Sequence, residues 1–293
     1  MKAVVVGASG FLGSHVADKL SDSGYDVTLY DIFASKWQRD DQTMCVGNIQ
    51  DFELLLKVTE GATVVYNFAA LADINIAKSK PIETVNLNIL GNVNVLEACR
   101  INNVSRFVFA SSVYVFSREG GFYRCSKQAA EDYVREYQSR YGMDYTILRF
   151  GSLYGPRADD GNGLLRIVRS ALSTGRVTYE GNIEATREYI HIRDAAQASV
   201  VALQDEYKNE SLTLTGTESI KVNDLLKMLA EILNFPQEDV SFVDKQYPGH
   251  YVRTPYSYQS KAGIKLTLPN YVELGQGLLQ IIENEDIVIR RDL

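Results

Sequence analysis

Residues 7–13 read Gly-Ala-Ser-Gly-Phe-Leu-Gly and follow directly on the apolar run Ala3–Val6. That run predicts a buried strand, and Leu12–Ser21 predicts the helix after it. Glycines at this spacing permit a tight turn and a close approach of the backbone, and the helix N-terminus offers unpaired N–H groups. The strand–turn–helix context therefore predicts a site for the pyrophosphate of a dinucleotide. The residues expected to bind it are Gly7, Ser9, Gly10, Phe11, Leu12 and Gly13.

Further apolar runs alternate with helical patterns over the first half of the chain. Strands are predicted at Val27–Tyr30, Thr63–Phe68, Phe107–Ser111 and Tyr145–Arg149. Helices are predicted at Asp51–Thr59, Glu83–Asn102 and Tyr123–Arg140. Continuous apolar strands that alternate with helices are typical of a parallel sheet covered on both faces. We therefore predict an α/β fold built on a Rossmann-type, doubly wound parallel sheet.

The pattern changes after about residue 150, where isolated helices at Asn162–Ser173 and Val222–Leu233 replace the regular alternation. The stretch Tyr189–Gln204 is predicted as a strand and an alanine-rich helix that return to the main sheet. We expect residues 1–150 and about 189–205 to form a dinucleotide-binding domain. Residues from about 151 to 188 and 206–293 are expected to form a smaller C-terminal α/β lobe that binds the substrate. A cleft is predicted between the domain and this lobe.

Composition excludes several partners and sites. The chain has 293 residues and a formal net charge of −7, which disfavours nucleic acid or an anionic membrane surface as its main partner. Cys45, Cys99 and Cys125 show neither zinc-binding nor disulfide spacing, so no metal is predicted and reduced thiols in the cytoplasm are expected. The N-terminus lacks the features of a signal peptide, and no apolar run is long enough to predict a membrane span.

Asp31 ends the second predicted strand, eighteen residues after Gly13. A carboxylate at this position accepts hydrogen bonds from a ribose diol and repels a 2′-phosphate. NAD is therefore the predicted cofactor. Lys36 and Arg39 follow shortly after and leave NADP open as an alternative.

Tyr123 and Lys127 lie four residues apart in a predicted helix, so they share one face. An ammonium group near a phenol stabilises the phenolate and lowers the pKa of the tyrosine toward the range of a general base. The pair therefore predicts a proton-transfer site next to the dinucleotide.

Six more motifs are spread over nearly the whole chain. They are Gly-Asn-Ile-Gln-Asp at 47–51, Asn-Phe-Ala-Ala at 67–70, Asn-Ile-Leu-Gly-Asn at 88–92, Ala-Ser-Ser-Val-Tyr-Val-Phe at 110–116, Leu-Tyr-Gly-Pro-Arg at 153–157 and Arg-Glu-Tyr-Ile-His-Ile-Arg-Asp at 187–194. With the glycine turn and the Tyr–Lys pair, they resemble the extended short-chain dehydrogenases/reductases, specifically the NAD-dependent epimerase/dehydratase group that acts on nucleotide sugars.

The resemblance implies roles for individual residues. Ser112, Tyr123 and Lys127 match the catalytic residues, and the last two also contact the cofactor. Asn48 stands where the family has an acid that binds the adenine amino group, and its amide oxygen could accept the same bond. The other residues implied along the cofactor are Ile49, Phe68, Ala69, Ala70, Asn88 and Ala110. The residues predicted to bind a nucleotide-diphosphate sugar are Ser112, Tyr114, Ser152, Arg187 and Arg253, with Arg187 as the diphosphate clamp.

The reaction type is predicted from the residues after Ser112. Family dehydratases carry an Asp-Glu pair there, and decarboxylases a glutamate, whereas this chain has Val113 and Tyr114. The resemblance therefore favours an epimerase, most often acting at C4, that works by reversible hydride transfer through a 4-keto sugar with retained NAD. A one-way nucleotide-sugar dehydrogenase or keto-sugar reductase stays open. A 4,6-dehydratase and a non-catalytic NAD-binding protein are less favoured.

Two further expectations concern the sugar site and assembly. Ten residues separate Ser112 from Tyr123, fewer than in relatives, which predicts a more open sugar site. In relatives, the helices at about 86–102 and 123–140 pair across a two-fold axis, which implies a homodimer. Val134, Tyr137 and Tyr141 are candidates either for that interface or for core packing.

Overall fold

The structure is a computed structural model of the chain, and it describes residues 1–236, 240–243, 250, 252, 264–265 and 267–291. The strands are β1 Lys2–Val6, β2 Asp26–Asp31, β3 Gln42–Val46, β4 Val64–Asn67, β5 Arg106–Ser112, β6 Tyr145–Phe150, β7 Ser152–Tyr154, β8 Val177–Glu180, β9 Thr186–Arg187, β10 Tyr189–His191, β11 Glu210–Leu214, β12 Ile220–Lys221, β13 Val240–Val243 and β14 Ile264–Lys265. The α-helices are α1 Phe11–Asp22, α2 Phe52–Thr59, α3 Ile74–Ser79, α4 Pro81–Val85, α5 Gly91–Ile101, α6 Gly121–Tyr141, α7 Gly163–Thr174, α8 Ile192–Val201, α9 Val222–Ile232 and α10 Leu274–Arg291.

Within the described residues, eight strands form one parallel sheet in the order β14-β11-β6-β5-β4-β1-β2-β3. The chain builds β1 to β3 toward one edge and then returns to place β4 on the other side of β1. The strand order therefore reverses between β1 and β4. In sheets of this kind, ligands bind outside the carboxyl ends of the strands at such a reversal.

Helices cover both faces of the sheet, as the continuous apolar strands predict. Apolar side chains of α1 and α8 pack on one face, around Val5 and Leu148. Those of α2, α5 and α6 pack on the other face, around Val4 and Ile147. The predicted α/β, doubly wound parallel sheet is confirmed.

A third apolar cluster lies in the second half of the chain, where α7, α9 and α10 pack around Val168 and Leu226. This separate core supports the smaller C-terminal lobe, and the division of the chain into a domain and a lobe stays our proposal. Two parts of it need correction, because Glu210–Leu214 and Ile264–Lys265, both assigned above to the lobe, are strands of the main sheet.

Two other expectations differ from the structure. The predicted strand at the start of Tyr189–Gln204 does not enter the main sheet: it is β10, which pairs with β7 in a two-stranded sheet. Ile190 of β10 and the helix that follows, α8, nevertheless pack against the main sheet. The edge strand β3 was not predicted, because it is mostly only partly buried and its sequence lacks a long continuous apolar run.

The helix predicted at Glu83–Asn102 is interrupted. Between α4 and α5 the chain forms one π-helical turn at Asn86–Leu90. Such turns insert an extra residue into a helix and frequently occur at functional sites. Among the described residues, no helix has the length and apolar character that crossing a membrane requires.

Candidate active site

The glycine turn between β1 and α1 is as compact as its sequence predicts. Gly7 has a φ of +85°, and a Cβ atom there would lie 2.5 Å from the backbone nitrogen of Ala69. A Cβ atom on Gly13 would collide with the carbonyl oxygen of Gly7. No side chain caps the N-terminus of α1 at Gly10, so its first-turn amides have no side-chain acceptor. This arrangement suits a pyrophosphate, which needs N–H donors and close backbone approach.

A cavity of about 850 Å³ opens at the reversal point of the sheet. Asp31 lines it at the end of β2, and the Asp31 carboxylate accepts a hydrogen bond from the backbone N–H of Ser9 at 2.8 Å. The Ser9 hydroxyl in turn donates to the carbonyl oxygen of Phe33 at 2.7 Å. The predicted cofactor residues that line the cavity are Gly7, Gly10, Asp31, Asn48, Ile49, Phe68, Ala69 and Ala70.

The Asn48 side chain also has a local structural role. Its amide oxygen accepts a hydrogen bond from the backbone N–H of Gln50 at 2.9 Å. The Asn48 carbonyl oxygen accepts one from the hydroxyl of Tyr30 at 2.8 Å. The oxygen that we expected to receive the adenine amino group is therefore already engaged in holding the turn, although an amide oxygen has a second lone pair.

Sequence reasoning missed the opposite wall of the cavity. Residues of α3, α4 and the π-helical turn line it: Ser79, Lys80, Pro81, Ile82, Glu83, Asn86 and Leu87. Ile82 is 76% exposed. The helix predicted from sequence began only at Glu83, so no pattern in the sequence identified this wall.

Asn88 does not line the cavity and is better described as a clamp. Its side-chain oxygen accepts from the backbone N–H of Leu71 at 2.7 Å, and its amide nitrogen donates to the Ser126 hydroxyl at 2.9 Å. Ser126 donates to the carbonyl oxygen of Tyr123 at 2.8 Å. Asn88 is buried and connects the segment after Ala70 to the second turn of α6, outside the cavity in which it was predicted to contact the cofactor.

The three predicted catalytic residues converge at the carboxyl end of β5. Ser112 is the last residue of β5, and Tyr123 and Lys127 are on the first two turns of α6. All three side chains are at least nine-tenths buried. The Ser112 hydroxyl also accepts from the backbone N–H of Tyr114 at 3.3 Å, so it caps the following turn in addition to meeting Tyr123. Ala110, predicted to contact the cofactor, accepts a hydrogen bond from the Lys127 ammonium at 2.7 Å.

The expected effect of Lys127 on Tyr123 is not observed. Burial raises the pKa of the Tyr123 phenol, and the hydrogen bond with Ser112 opposes that rise. Lys127 has little influence because its Nζ atom points to Ala110 and lies 5.9 Å from the centre of the Tyr123 ring. Burial also lowers the pKa of Lys127 to about 8, although the charge of Glu131 counteracts part of this change.

A buried ionic network lies one helical turn beyond Lys127. We call Glu131, Arg149, Ser111 and Arg135 the Glu131 network. Arg149 donates to both carboxylate oxygens of Glu131, at 2.9 and 2.7 Å. Ser111 and Arg135 donate to the same carboxylate at 2.6 and 2.7 Å. Burial would raise the pKa of Glu131, but these donors hold it below its usual range.

The predicted substrate residues lie on several elements. The Tyr114 hydroxyl is 3.0 Å from Nδ1 of His250, a residue that sequence reasoning did not select. Ser152 lies on β7 and pairs with Tyr189 of β10. Arg187 ends β9 and donates to the carbonyl oxygen of Thr186 at 2.9 Å. Arg253 is outside the described residues.

Comparison with known proteins agrees with this geometry. The chain is 28% identical over 271 residues to a putative UDP-glucose 4-epimerase of Methanocaldococcus jannaschii, an alignment that covers 85% of this chain and 88% of that protein. It is 24% identical over 286 residues to a UDP-N-acetyl-alpha-D-glucosaminuronate decarboxylase of Bacillus cytotoxicus, with 87% of each chain covered.

A solved structure shares the same fold. The UDP-glucose 4-epimerase of Thermotoga maritima, crystallised with UDP-glucose, superimposes with a TM-score of 0.85 and 25% sequence identity over 99% of this chain and 100% of that chain. The sequence model of the NAD-dependent epimerase/dehydratase family matches residues 3–214. The resemblance predicted from the motifs is thereby confirmed, and the chain belongs to the NAD-dependent epimerase/dehydratase family.

Proposed function

We propose that this protein is an NAD-dependent nucleotide-sugar epimerase that acts at C4 of a UDP-linked hexose. The observation that carries the proposal is the convergence of Ser112, Tyr123 and Lys127 at the carboxyl end of β5, next to the dinucleotide cavity. The similar proteins named above support UDP as the nucleotide, because each of their names specifies a UDP-linked sugar.

The residues of the cavity fit NAD. The glycine turn would hold the pyrophosphate, and Asp31 would bind the adenosine ribose. Ile49 would contact the adenine, and Phe68, Ala69 and Ala70 would line the cofactor between the adenine and Tyr123. NADP is less favoured, because Arg39 is engaged by the carboxylates of Asp22 and Asp41 at 2.6 and 3.0 Å. When bound, NAD supplies the hydride acceptor and later the hydride donor.

The catalytic side chains have separate tasks. Ser112 would hold the oxygen on the reacting carbon of the sugar through its hydroxyl group. The ionised form of Tyr123 would take the proton from that sugar hydroxyl on its phenolic oxygen and return it when the keto group is reduced. Lys127, held by the carbonyl oxygen of Ala110, would bind the ribose next to the nicotinamide. Oxidation to a 4-keto sugar followed by reduction of its other face leaves the sugar inverted at C4.

The surroundings of Ser112 support epimerisation over elimination and decarboxylation. Val113 is buried and apolar, and Tyr114 is directed to His250. Neither residue offers a carboxylate that could act as a second acid or base. Arg187 is the proposed diphosphate clamp, and Ser152 and Tyr114 are proposed sugar contacts.

We also infer a homodimer formed by the helices at 86–101 and by α6. Leu90 and Ile101 on the first, and Tyr133 and Tyr141 on the second, are between 44% and 52% exposed. Of the residues proposed from sequence, Val134 is instead fully buried in the core, and Tyr137 donates to Glu97 at 3.0 Å. Light scattering should give twice the chain mass, and a concentration-independent monomer mass would refute the dimer.

A cytoplasmic location is consistent with the thiols. Cys45, Cys99 and Cys125 are all free, and Cys125 is exposed. Free thiols persist in a reducing compartment. We therefore propose the cytoplasm as the site of action.

The test is incubation of the NAD-loaded protein with UDP-, GDP- and dTDP-hexoses, with products identified by NMR. We expect a UDP-hexose to reach equilibrium with its C4 epimer, with no net NADH. A released keto sugar with one NADH per turnover would instead identify a dehydrogenase. Reduction of an added keto sugar with NADH would identify a reductase. NAD binding without turnover of any sugar would contradict the proposal.

A further inference from the structure

Tyr114 and His250 make a hydrogen bond between two distant parts of the chain. The Tyr114 hydroxyl lies 3.0 Å from His250 Nδ1, although 136 residues separate the two in sequence. The Tyr114 ring also packs edge-to-face on the ring of Tyr123, with the centroids 6.3 Å apart. The imidazole ring of His250 also packs edge-to-face on the Tyr114 ring, with the centroids 6.3 Å apart. Tyr114 thus connects the proposed proton-transfer residue to the lobe.

The short loop before Tyr123 is built around this contact. Gly120 has a φ of +96°, and a Cβ atom there would lie 2.8 Å from Cδ1 of Tyr114. The loop backbone therefore rests against the Tyr114 ring, which only glycine allows at this position. Sequence reasoning expected a more open sugar site from the short loop. In the structure, the Tyr114–His250 hydrogen bond lies next to this short loop.

His250 lies between groups of opposite charge. Burial lowers its pKa, as do the positive charges of Arg187 and Arg166 from the lobe. The negative charges of Asp73, before α3, and Glu119, in the short loop, act in the opposite direction. A neutral imidazole at pH 7 would accept a hydrogen bond from the Tyr114 hydroxyl at Nδ1 and keep Nε2–H as a donor.

A hexose that reaches Tyr123 must lie next to this pair. The reacting sugar hydroxyl has to approach the Tyr123 phenol within hydrogen-bond distance, and Tyr114 is in direct ring contact with Tyr123. Both Tyr114 and His250 are partly exposed, so the pair is not sealed into the core. Resting on the proposed function, we propose that Tyr114 and His250 act as one hydrogen-bonded unit that contacts the hexose ring and determines sugar selectivity.

The first test distinguishes contacts with the sugar from contacts with the nucleotide. Dissociation constants of the NAD-loaded protein for UDP-glucose and for UDP are measured by calorimetry for wild type, Tyr114→Phe, His250→Asn and the double variant. Asparagine keeps a polar group near the Nδ1 position but lacks Nε2. We expect each single variant to bind UDP-glucose about 2- to 12-fold more weakly, the effect of losing one hydrogen bond, while UDP binding is unchanged. The affinity of the double variant for UDP-glucose should fall by less than the product of the two single-variant factors.

Tyr207→Phe is the matched control. Tyr207 lies near the amino end of β6, where its carbonyl oxygen accepts from the Thr146 hydroxyl at 3.0 Å. Removal of the Tyr207 hydroxyl should change the affinity for neither UDP-glucose nor UDP. The proposal would be overturned if affinity for UDP fell as much as affinity for UDP-glucose. It would also be overturned if the fold-change of the double variant equalled the product of the two single-variant fold-changes.

A second measurement needs no substrate. The chain has three histidines, so nitrogen NMR can follow His250 once its signal is assigned by its loss in His250→Asn. In the wild type at neutral pH, we expect the Nε2–H tautomer. In Tyr114→Phe the pKa of His250 should rise, because the hydrogen bond that favours the neutral ring is lost. An unchanged tautomer and pKa would show that the pair does not exist. If no sugar is epimerised but these shifts occur, only the proposed function fails.

Discussion

Two groups of side chains surround the Tyr123 region, and they are held in different ways. In the Glu131 network, Arg149 and Glu131 are 2% and 3% exposed, and three side chains donate to one carboxylate. The Tyr114–His250 contact is partly exposed, has one hydrogen bond, and joins the domain to a residue 136 positions later. The first group connects β5, β6 and α6 within one core, whereas the second is a contact between two segments that are distant in sequence.

This difference indicates a division of labour. The network fixes the elements that carry Ser112, Tyr123 and Lys127, since Ser111 and Arg149 face each other in the β5–β6 register and Glu131 is one turn from Lys127. A fully satisfied buried network rigidifies its surroundings. A single, half-exposed hydrogen bond can change with the ligand at low cost. We therefore expect substitutions in the first group to affect chemistry and stability, and those in the second to affect which sugar is accepted.

The largest effect is expected from Tyr123→Phe, which removes the proposed proton acceptor and keeps the ring contact with Tyr114. We expect kcat to fall by about 10²- to 10⁴-fold, the usual contribution of a general base. NAD affinity should change little, because the cavity that holds the dinucleotide is intact. Steady-state kinetics with the epimerised sugar measures the first quantity and calorimetry the second. Unchanged kcat would remove Tyr123 from the mechanism.

Arg149→Met tests whether the network is structural. It leaves the buried Glu131 carboxylate without its main partner, which should lower the free energy of unfolding by about 3–5 kcal/mol in urea titrations. The double variant Glu131→Met, Arg149→Met removes both charges and should recover most of that loss. If Arg149→Met were as stable as wild type, the network would not hold these elements together.

The Rossmann-type half could be predicted because its signals are local. The spacing of Gly7, Gly10 and Gly13 states a backbone requirement, and a Cβ atom on Gly7 would indeed meet Ala69. The continuous apolar strands likewise carry their own evidence of burial on both faces. Asp31 could be placed because the end of β2 lies at a fixed distance along the chain from the glycine turn.

The rest depends on contacts between distant segments, which no local pattern records. Asn88 is at a helical position expected near the cofactor, yet the π-helical turn and its bonds to Leu71 and Ser126 make it a clamp. His250 could not be selected, because only the fold brings it to Tyr114. The pKa of Tyr123 was predicted in the wrong direction, since spacing along a helix does not reveal that Lys127 is directed to Ala110.

Asp31→Ala tests the cofactor preference, a smaller effect. Loss of the carboxylate removes charged hydrogen bonds to the ribose and should weaken NAD binding by about tenfold or more. The preference for NAD over NADP should narrow at the same time, because the repulsion of a 2′-phosphate is removed. Calorimetry with both dinucleotides measures this. Asp26→Ala, at the exposed start of the same strand, is the control and should bind NAD like the wild type.

The smallest expected effect is that of the Glu131 network on the pH dependence of kcat. Lys127 has a pKa of about 8, held up in part by Glu131, so kcat should fall above about pH 8 as the ammonium is lost. Glu131→Gln removes that support, and the alkaline limb of the pH profile should move to lower pH. Asp132→Asn, on the exposed face of α6, should leave the limb in place. A limb that moved equally in both variants would contradict a specific role of Glu131.

The central claim is that this chain moves hydride reversibly at C4 while NAD stays bound. UDP-glucose that carries deuterium at C4 tests it most directly, with the product analysed by NMR and mass spectrometry. We predict a C4 epimer that retains the deuterium at C4, with none lost to solvent or to free NADH. Deuterium recovered in released NADH or exchanged with water, or the absence of any C4 epimer, would contradict the claim.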